Sequence, residues 1–444
     1  MSNEPTALPL VPTIPVPEGV RTFTQFGESF EPWEYTDWLQ ESMSWKESCY
    51  IGNWSGLQKH LITGPDAIRL FSDLVGNNFD RFPVGMAKHI SACTPGGLLL
   101  GDGILMRRAE DQVLSSLGRN AVVWVEHMLA EGDYDIRSEI ITHDEYVFQV
   151  QGPKSLHLLE EATGESFREI EFMHFAERSI DGNSFTALRQ GMAGEVGFEL
   201  QGPAATGKEV WSRIVEIGEA YGIKRLGART KMVNHVEACF PTPSVDYMPA
   251  WFDPSIKQLG EKWAAEMPAV ARFFFTHRGS HVTDDVSDFF YSPVDMGWER
   301  TLKFDHDFVG REALEEKVAN PTRRIVTLVW NAEDVMDVHG SLYREGDSCQ
   351  LMELPRGQLA TVWGDRVLRD GEQVGITTSR CYSYFFRQMI SLCPIAISCS
   401  EPGTEVEILW GEPDYKQKRI RATVAPAPYK TDRRREDLAS VAAR

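Results

Sequence analysis

The sequence predicts an α+β fold of mixed sheets and helices, with a small β-barrel-like domain at the C-terminal end. Strand-like, turn and helix-like stretches repeat through the first two thirds of the chain, with glycine-proline corners between them. Beyond about Asn320 the texture changes to short β-rich runs broken by Gly and Pro, the pattern of a compact all-β unit.

The first helical pattern runs from Tyr35 to Cys49. An extended run from Tyr50 to Thr63 follows, and Gly64-Pro65-Asp66 turns the chain into the helix-like Ala67 to Val75. The same order recurs at Tyr146 to Pro153 with Lys154 to Ala162, and at Phe198 to Gly202 with Gly207 to Tyr221. Arg324 to Trp330, Gly375 to Ser379 and Glu405 to Leu409 are expected strands of the C-terminal domain. The resulting organisation is an extended arm over 1–25, a main region over 26–315 with two subdomains, a β-rich domain over 316–431 and a mobile, mixed-charge tail over 432–444.

With 444 residues, 42% hydrophobic content and 12 tryptophans, the chain is long enough for about three domains with large cores. Its 45 basic and 65 acidic residues leave a net charge of -20, which argues against nucleic acid or an anionic membrane as partner. An anionic ligand must therefore meet a local cation. The seven cysteines are scattered and form no C-x-x-C pair, so reduced structural thiols are expected, with no metal. His235-Val236-Glu237 lacks the downstream cysteines of a zinc deaminase, and His277 with His281 lacks the glutamate of H-E-x-x-H. The proline-rich start has no basic segment before an apolar one, and no apolar run nears the roughly 20 residues of a membrane span. A soluble, cytoplasmic protein is expected. No motif sets the oligomeric state.

Chemistry concentrates in the segment Arg189-Gln190-Gly191-Met192-Ala193-Gly194-Glu195-Val196-Gly197-Phe198-Glu199-Leu200. This segment resembles the glycine-rich hairpin of glycine-cleavage aminomethyltransferases. Further landmarks in the family's order are Gly64-Pro65-Asp66-Ala67, Gln149-Val150-Gln151-Gly152-Pro153, Leu226-Gly227-Ala228-Arg229, Phe308 to Leu314 and Gly375 to Ser379. The resemblance implies an aminomethyltransferase-like fold and tetrahydrofolate as cofactor. A pterin presents a ring N–H beside an exocyclic amine, and one carboxylate can accept both in a fork. Glu195 is the candidate for that fork, with Gln151, Asp102, Trp251 and Arg229 as further folate contacts.

Departures from the family point to the substrate. Gly96-Gly97 is followed by Leu98-Leu99-Leu100-Gly101-Asp102, so one of the family's two adjacent aspartates is missing and the spacing is shifted. Asp102 reads either as a folate neighbour or as a turn former. Trp54 to His60, Asn234 to Ala238, Asp246-Tyr247-Met248-Pro249 and Cys381 to Arg387 are similar to tetrahydrofolate-dependent aryl O-demethylases acting on vanillate, syringate or 3-O-methylgallate.

The implied reaction moves an O-methyl group from a methoxylated aromatic acid to tetrahydrofolate, leaving a catechol-type acid. Tyr247 is the candidate catalytic acid, since a phenol of pKa ~10 can protonate a departing phenolate. His60, Arg119, Gln58 and Trp251 are the substrate-binding candidates. Three have a plain structural reading as well: a satisfied structural histidine for His60, a surface ion pair for Arg119 and core packing for Trp251. A sulfonium or amine donor, or folate binding without catalysis, are the alternatives.

Overall fold

The computed structural model describes residues 14–26, 29–266, 276–354 and 361–441. Two sheets build the N-terminal part. One is six-stranded, in the order Phe175–Ile180, Asn183–Leu188, Gly197–Pro203, Glu145–Gln151, Tyr50–Asn53 and Lys224–Leu226, antiparallel except for the last pair. The other is five-stranded and antiparallel, in the order Ala87–Cys93, Leu99–Ala109, Gln112–Leu117, Gln58–Thr63 and Arg137–Ile140. Each buries one face under helices. Ser155–Thr163 and Gly207–Gly218 cover the first through Leu156, Leu159, Val210, Trp211 and Ile214. Ala67–Leu74 and Arg119–Glu131 cover the second through Leu70, Phe71, Ala121 and Val125. Apolar side chains at three- and four-residue spacing on these helices meet the alternating inward residues of the strands, which is what buries both faces.

The expected single run Tyr50 to Thr63 is two strands, one in each sheet. Between them the chain turns a corner: Leu57 N–H donates to Trp54 O at 3.1 Å, and Asn53 Oδ1 accepts from Ser55 N at 3.1 Å. The first strand and the corner are buried at consecutive positions, so periodicity alone cannot reveal the break.

The C-terminal domain is a closed six-stranded antiparallel barrel. Its strands run Arg323–Trp330, Lys418–Ala425, Glu405–Trp410, Asp365–Arg369, Glu372–Thr377 and Gln388–Ala396, the last returning to pair with the first. Val326, Leu328, Trp330, Val367, Ile395 and Ile408 fill it.

The described segments nearest the two chain ends are anchored. Residues 1–13 of the expected arm lie outside the described residues, but Ile14 is buried in the first core. The segment expected to be a mobile tail is docked as far as residue 441: Arg168 and Arg189 donate to its backbone carbonyls, and Leu438 is 1% exposed. Its mixed charges resemble a solvated tail, but guanidinium groups distant in sequence satisfy its backbone. Among the described residues no helix is long and apolar enough to cross a membrane.

Candidate functional site

A cavity of about 720 Å³ opens between the two sheets, the helix Ala228–Ala238 and the C-terminal segment. Trp54, Leu57, Met192, Phe240, Met296 and Trp298 give it apolar and aromatic walls.

At one end, strand register sets the polar groups. Glu199 on Gly197–Pro203 lies directly across from Gln149 on Glu145–Gln151, and both side chains line the cavity. Gln149 Nε2 donates to Glu199 Oε1 at 2.7 Å, and Gln190 Nε2 donates to the same oxygen at 2.8 Å. Gln151, two residues along, donates to Gln149 Oε1 at 2.9 Å and accepts from Ala193 N at 3.0 Å. A Cβ on Gly191 or Gly197 would overlap the Gln151 side chain, which is why the loop needs glycine at both positions. Burial pushes the Glu199 carboxyl up to about 7, against the pull of its amide donors. Among the described residues this acid is held by neutral amides and has no charged partner.

Glu195, four residues earlier, is placed differently. It pairs with buried Lys430 and lies 3.9 Å from Arg433, outside the cavity lining. Its oxygens are engaged by cations, whereas Glu199 receives hydrogen bonds from neutral amides. Gln151 supports that acid from behind the lining.

At the other wall, Asp102 joins two groups. Tyr247 Oη donates to Asp102 Oδ1 at 2.8 Å, and His89 Nε2 lies 2.9 Å from Asp102 Oδ2. His89 and Asp102 sit on neighbouring antiparallel strands, where Ser91 pairs with Asp102 and His89 is two residues away on the same face. Both line the cavity. Trp298 packs edge-on against the imidazole, with centroids 4.9 Å apart. Tyr247 is fully buried behind Asp102 rather than on the cavity wall. Burial, then the Asp102 charge, pushes its phenol well above the usual range. The barrel fixes this stretch: Asp246 Oδ1 accepts from Thr378 Oγ1 at 2.7 Å and from Ser379 N at 3.1 Å. That contact is the structural use of the Gly375 to Ser379 signature.

The four substrate-binding candidates do not line this cavity. His60 is buried on the helix-covered face of the five-stranded sheet, its Nε2 2.6 Å from Ser138 Oγ and from Glu126 Oε1. Burial lowers its pKa although Glu126 opposes the shift. Gln58 belongs to the same strand, and Arg119 is exposed at the start of the covering helix. Trp251 is core, stacked on Trp263 at 5.2 Å and donating to Asn120 Oδ1 at 2.9 Å. Arg229, expected near folate, pairs with Glu34, donates to Leu354 O at 3.2 Å and lies over the Trp38 ring. It ties the segment around Glu34 and Trp38 to Leu354.

Sequence reasoning passed over His89, Gln149, Gln190, Glu199 and His235 as functional groups. Gln149, Gln190 and Glu199 stood inside the quoted landmarks, but their facing depends on register. His235 is buried and lines the cavity, and its Nε2 has no hydrogen-bond partner among the described residues. Burial, helped by nearby Lys231, pushes its pKa down to about 3, so the ring is neutral. An orphaned polar nitrogen, a carboxylate without a cation and flat aromatic walls fit a pterin with its adjoining ring.

The GCVT N-terminal domain matches residues 19–267, and the glycine cleavage T-protein C-terminal barrel domain matches residues 350–430. The chain is 33% identical to the syringate O-demethylase of a Sphingobium species, over 90% of this chain and 89% of that one. It is 34% identical to the sesamin methylene transferase of a Sinomonas species, over 90% of each. The crystal structure of the glycine cleavage system aminomethyltransferase T from Bartonella henselae superposes with a TM-score of 0.68 at 17% identity, covering 94% of this chain and 96% of that one, and so shares the fold. Together with the two-sheet body and closed barrel, these matches show that the chain belongs to the glycine-cleavage T-protein family of tetrahydrofolate-dependent one-carbon transferases.

Proposed function

We propose that this protein is an aryl O-demethylase, moving the methyl group of a methoxylated aromatic acid to tetrahydrofolate and releasing a catechol-type acid. Vanillate, syringate and 3-O-methylgallate are the donor types. The observation that carries this reading is that one cavity is lined both by Glu199, a buried carboxylate held only by amides, and by Asp102, braced by a phenol and an imidazole.

When bound, tetrahydrofolate supplies the N5 nitrogen that takes the methyl group. Glu199 orients the pterin through a two-point fork, taking over the role first expected of Glu195. In the balanced reaction the aryl O–CH₃ bond would break as the methyl group passes to the bound folate, leaving one proton to be removed from the acceptor nitrogen and one to be supplied to the phenolate. Asp102 is the acceptor for the first proton and His89 the donor for the second, the 2.9 Å contact between Asp102 Oδ2 and His89 Nε2 letting the proton pass from one to the other. Tyr247, whose hydroxyl donates a hydrogen bond to Asp102, positions that carboxylate from behind. The enzyme thus contributes orientation and proton transfer, with no covalent intermediate on the protein.

Anaerobic incubation with tetrahydrofolate and each of the three acids is expected to give 5-methyltetrahydrofolate and the demethylated acid. Absence of methylfolate with every methoxylated aromatic acid overturns the reading. The methylene transferase relative favours one further donor class, the methylenedioxy ring. Methylenefolate, not methylfolate, would be its product in the same assay.

A further inference from the structure

His235 carries a polar atom that the reaction described above does not use. The residue is 5% exposed and lines the cavity from the helix Ala228–Ala238, and among the described residues its Nε2 has no hydrogen-bond partner. A buried polar nitrogen left unpaired is costly, and on a cavity-lining residue it marks where a ligand supplies the missing bond.

The other ring nitrogen decides what kind of ligand group that is. Nδ1 lies 3.4 Å from Thr242 Oγ1, and Thr242 Oγ1 donates to Phe240 O at 3.3 Å. A hydroxyl has one proton. With that proton on Phe240 O, the oxygen accepts from the imidazole, so Nδ1 carries the ring's hydrogen. Burial and nearby Lys231 keep the imidazole neutral, which leaves Nε2 as a bare lone pair that can only accept. The loop that holds Thr242 leads to the reacting end of the cavity. Thr242 N donates to Asp246 Oδ2 at 2.8 Å, Ser244 N donates to Tyr247 O at 2.7 Å, and Tyr247 bonds Asp102.

A methoxylated aromatic acid offers such a nitrogen little to bind. Its methoxy oxygen and its ionised carboxylate are acceptors, and only a ring hydroxyl donates. Vanillate, syringate and 3-O-methylgallate each carry a hydroxyl beside the methoxy group. A neutral acceptor also suits the chemistry. An imidazole that took the hydroxyl proton would leave a phenolate next to the bond that breaks, and the departing oxygen would add a second negative charge to the same ring.

We propose that His235 Nε2 accepts the hydrogen bond of the ring hydroxyl next to the methoxy group, so that a free neighbouring hydroxyl is the feature by which the enzyme selects its donor. The proposal rests on the aryl O-demethylase reading. Anaerobic methyl transfer by the full chain from vanillate and from 3-methoxybenzoate, which differ only in that hydroxyl, tests it. The unaltered protein is expected to prefer vanillate about 100-fold in kcat/KM. His235→Phe keeps a flat ring but removes the acceptor, and should shrink the preference to about fivefold through loss of vanillate turnover alone, the remainder reflecting the two rings themselves. His235→Gln returns an acceptor at the same reach and should hold a preference of about 30-fold, and it carries the test if the phenylalanine variant fails to fold. Equal use of the two acids by the unaltered protein overturns the proposal, as does an equal loss for both in His235→Phe or a collapsed preference in His235→Gln. Tetrahydrofolate affinity, measured by calorimetry, should be unchanged in both variants, and a selective loss there overturns the proposal by assigning the nitrogen to the pterin. Absence of methylfolate with every methoxylated acid is a separate result, which removes the demethylase reading along with this one.

Discussion

The two ends of the cavity hold their carboxylates by opposite means. Glu199 receives hydrogen bonds from amides that cannot ionise, and its strand partner fixes it in register. Asp102 touches a phenol and an imidazole, both able to gain or lose protons. An acid surrounded by amides is a fixed acceptor, suited to recognition, whereas one between two titratable groups is suited to moving protons. In the proposed reaction the first end binds and the second reacts, and substitutions should separate affinity from rate accordingly.

The largest expected effect is on the reacting end. Asp102→Asn keeps the shape but removes the proton acceptor, and single-turnover methyl transfer should fall about 10³-fold. Folate affinity, measured by calorimetry, should stay within about threefold. A near-normal rate would leave Asp102 only a structural part.

Glu199→Gln should do the reverse. Losing a charged two-point acceptor is expected to weaken tetrahydrofolate binding about 100-fold. Its effect on stability has the opposite sign. Because burial raises the folded-state pKa from 4.5 to about 7, the folded chain holds a proton there that the unfolded chain releases. Stability is therefore lost as pH rises through that window, on the order of 3 kcal/mol in all. Glutamine does not ionise, so at pH 8 the ligand-free variant should melt higher than the parent while binding folate poorly. A lower melting temperature would mean that burial does not raise the Glu199 carboxyl.

Glu195 tests the same segment from its other half. Glu195→Gln leaves Lys430 buried without its partner, and denaturant unfolding should show a loss of about 3 kcal/mol. Folate affinity of the folded variant should be unchanged. A selective loss of affinity would return the pterin fork to Glu195.

This pair of glutamates also marks how far the sequence could be read. The strand, turn and helix order was legible because apolar spacing records local structure, and Ala67–Leu74 and Ser155–Thr163 fall within a residue or so of expectation. The glycine-rich segment was legible as a landmark for the same local reason. Which of its acids faces the cavity was not, because that depends on pairing with Glu145–Gln151 and on Lys430 arriving from the far end of the chain. Likewise, His60 and Arg119 are residue types suited to a carboxylate that do not line this cavity, and His89 gained its meaning only from strand register with Asp102.

The smallest effect expected is at Tyr247, and it distinguishes positioning from direct catalysis. The phenol is fully buried, outside the cavity lining, and bonded to Asp102. Tyr247→Phe leaves Asp102 still 2.9 Å from His89 but frees its other oxygen to rotate, so methyl transfer should slow about tenfold. Folate affinity should hold, and stability should drop by about 1 kcal/mol for the lost buried hydrogen bond. If Tyr247 were itself the proton donor, the rate should fall as far as in Asp102→Asn, and Tyr247→Phe combined with Asp102→Asn should cost about as much as either alone. If it only positions Asp102, the double variant should match Asp102→Asn, while Tyr247→Phe alone stays about 100-fold faster than either.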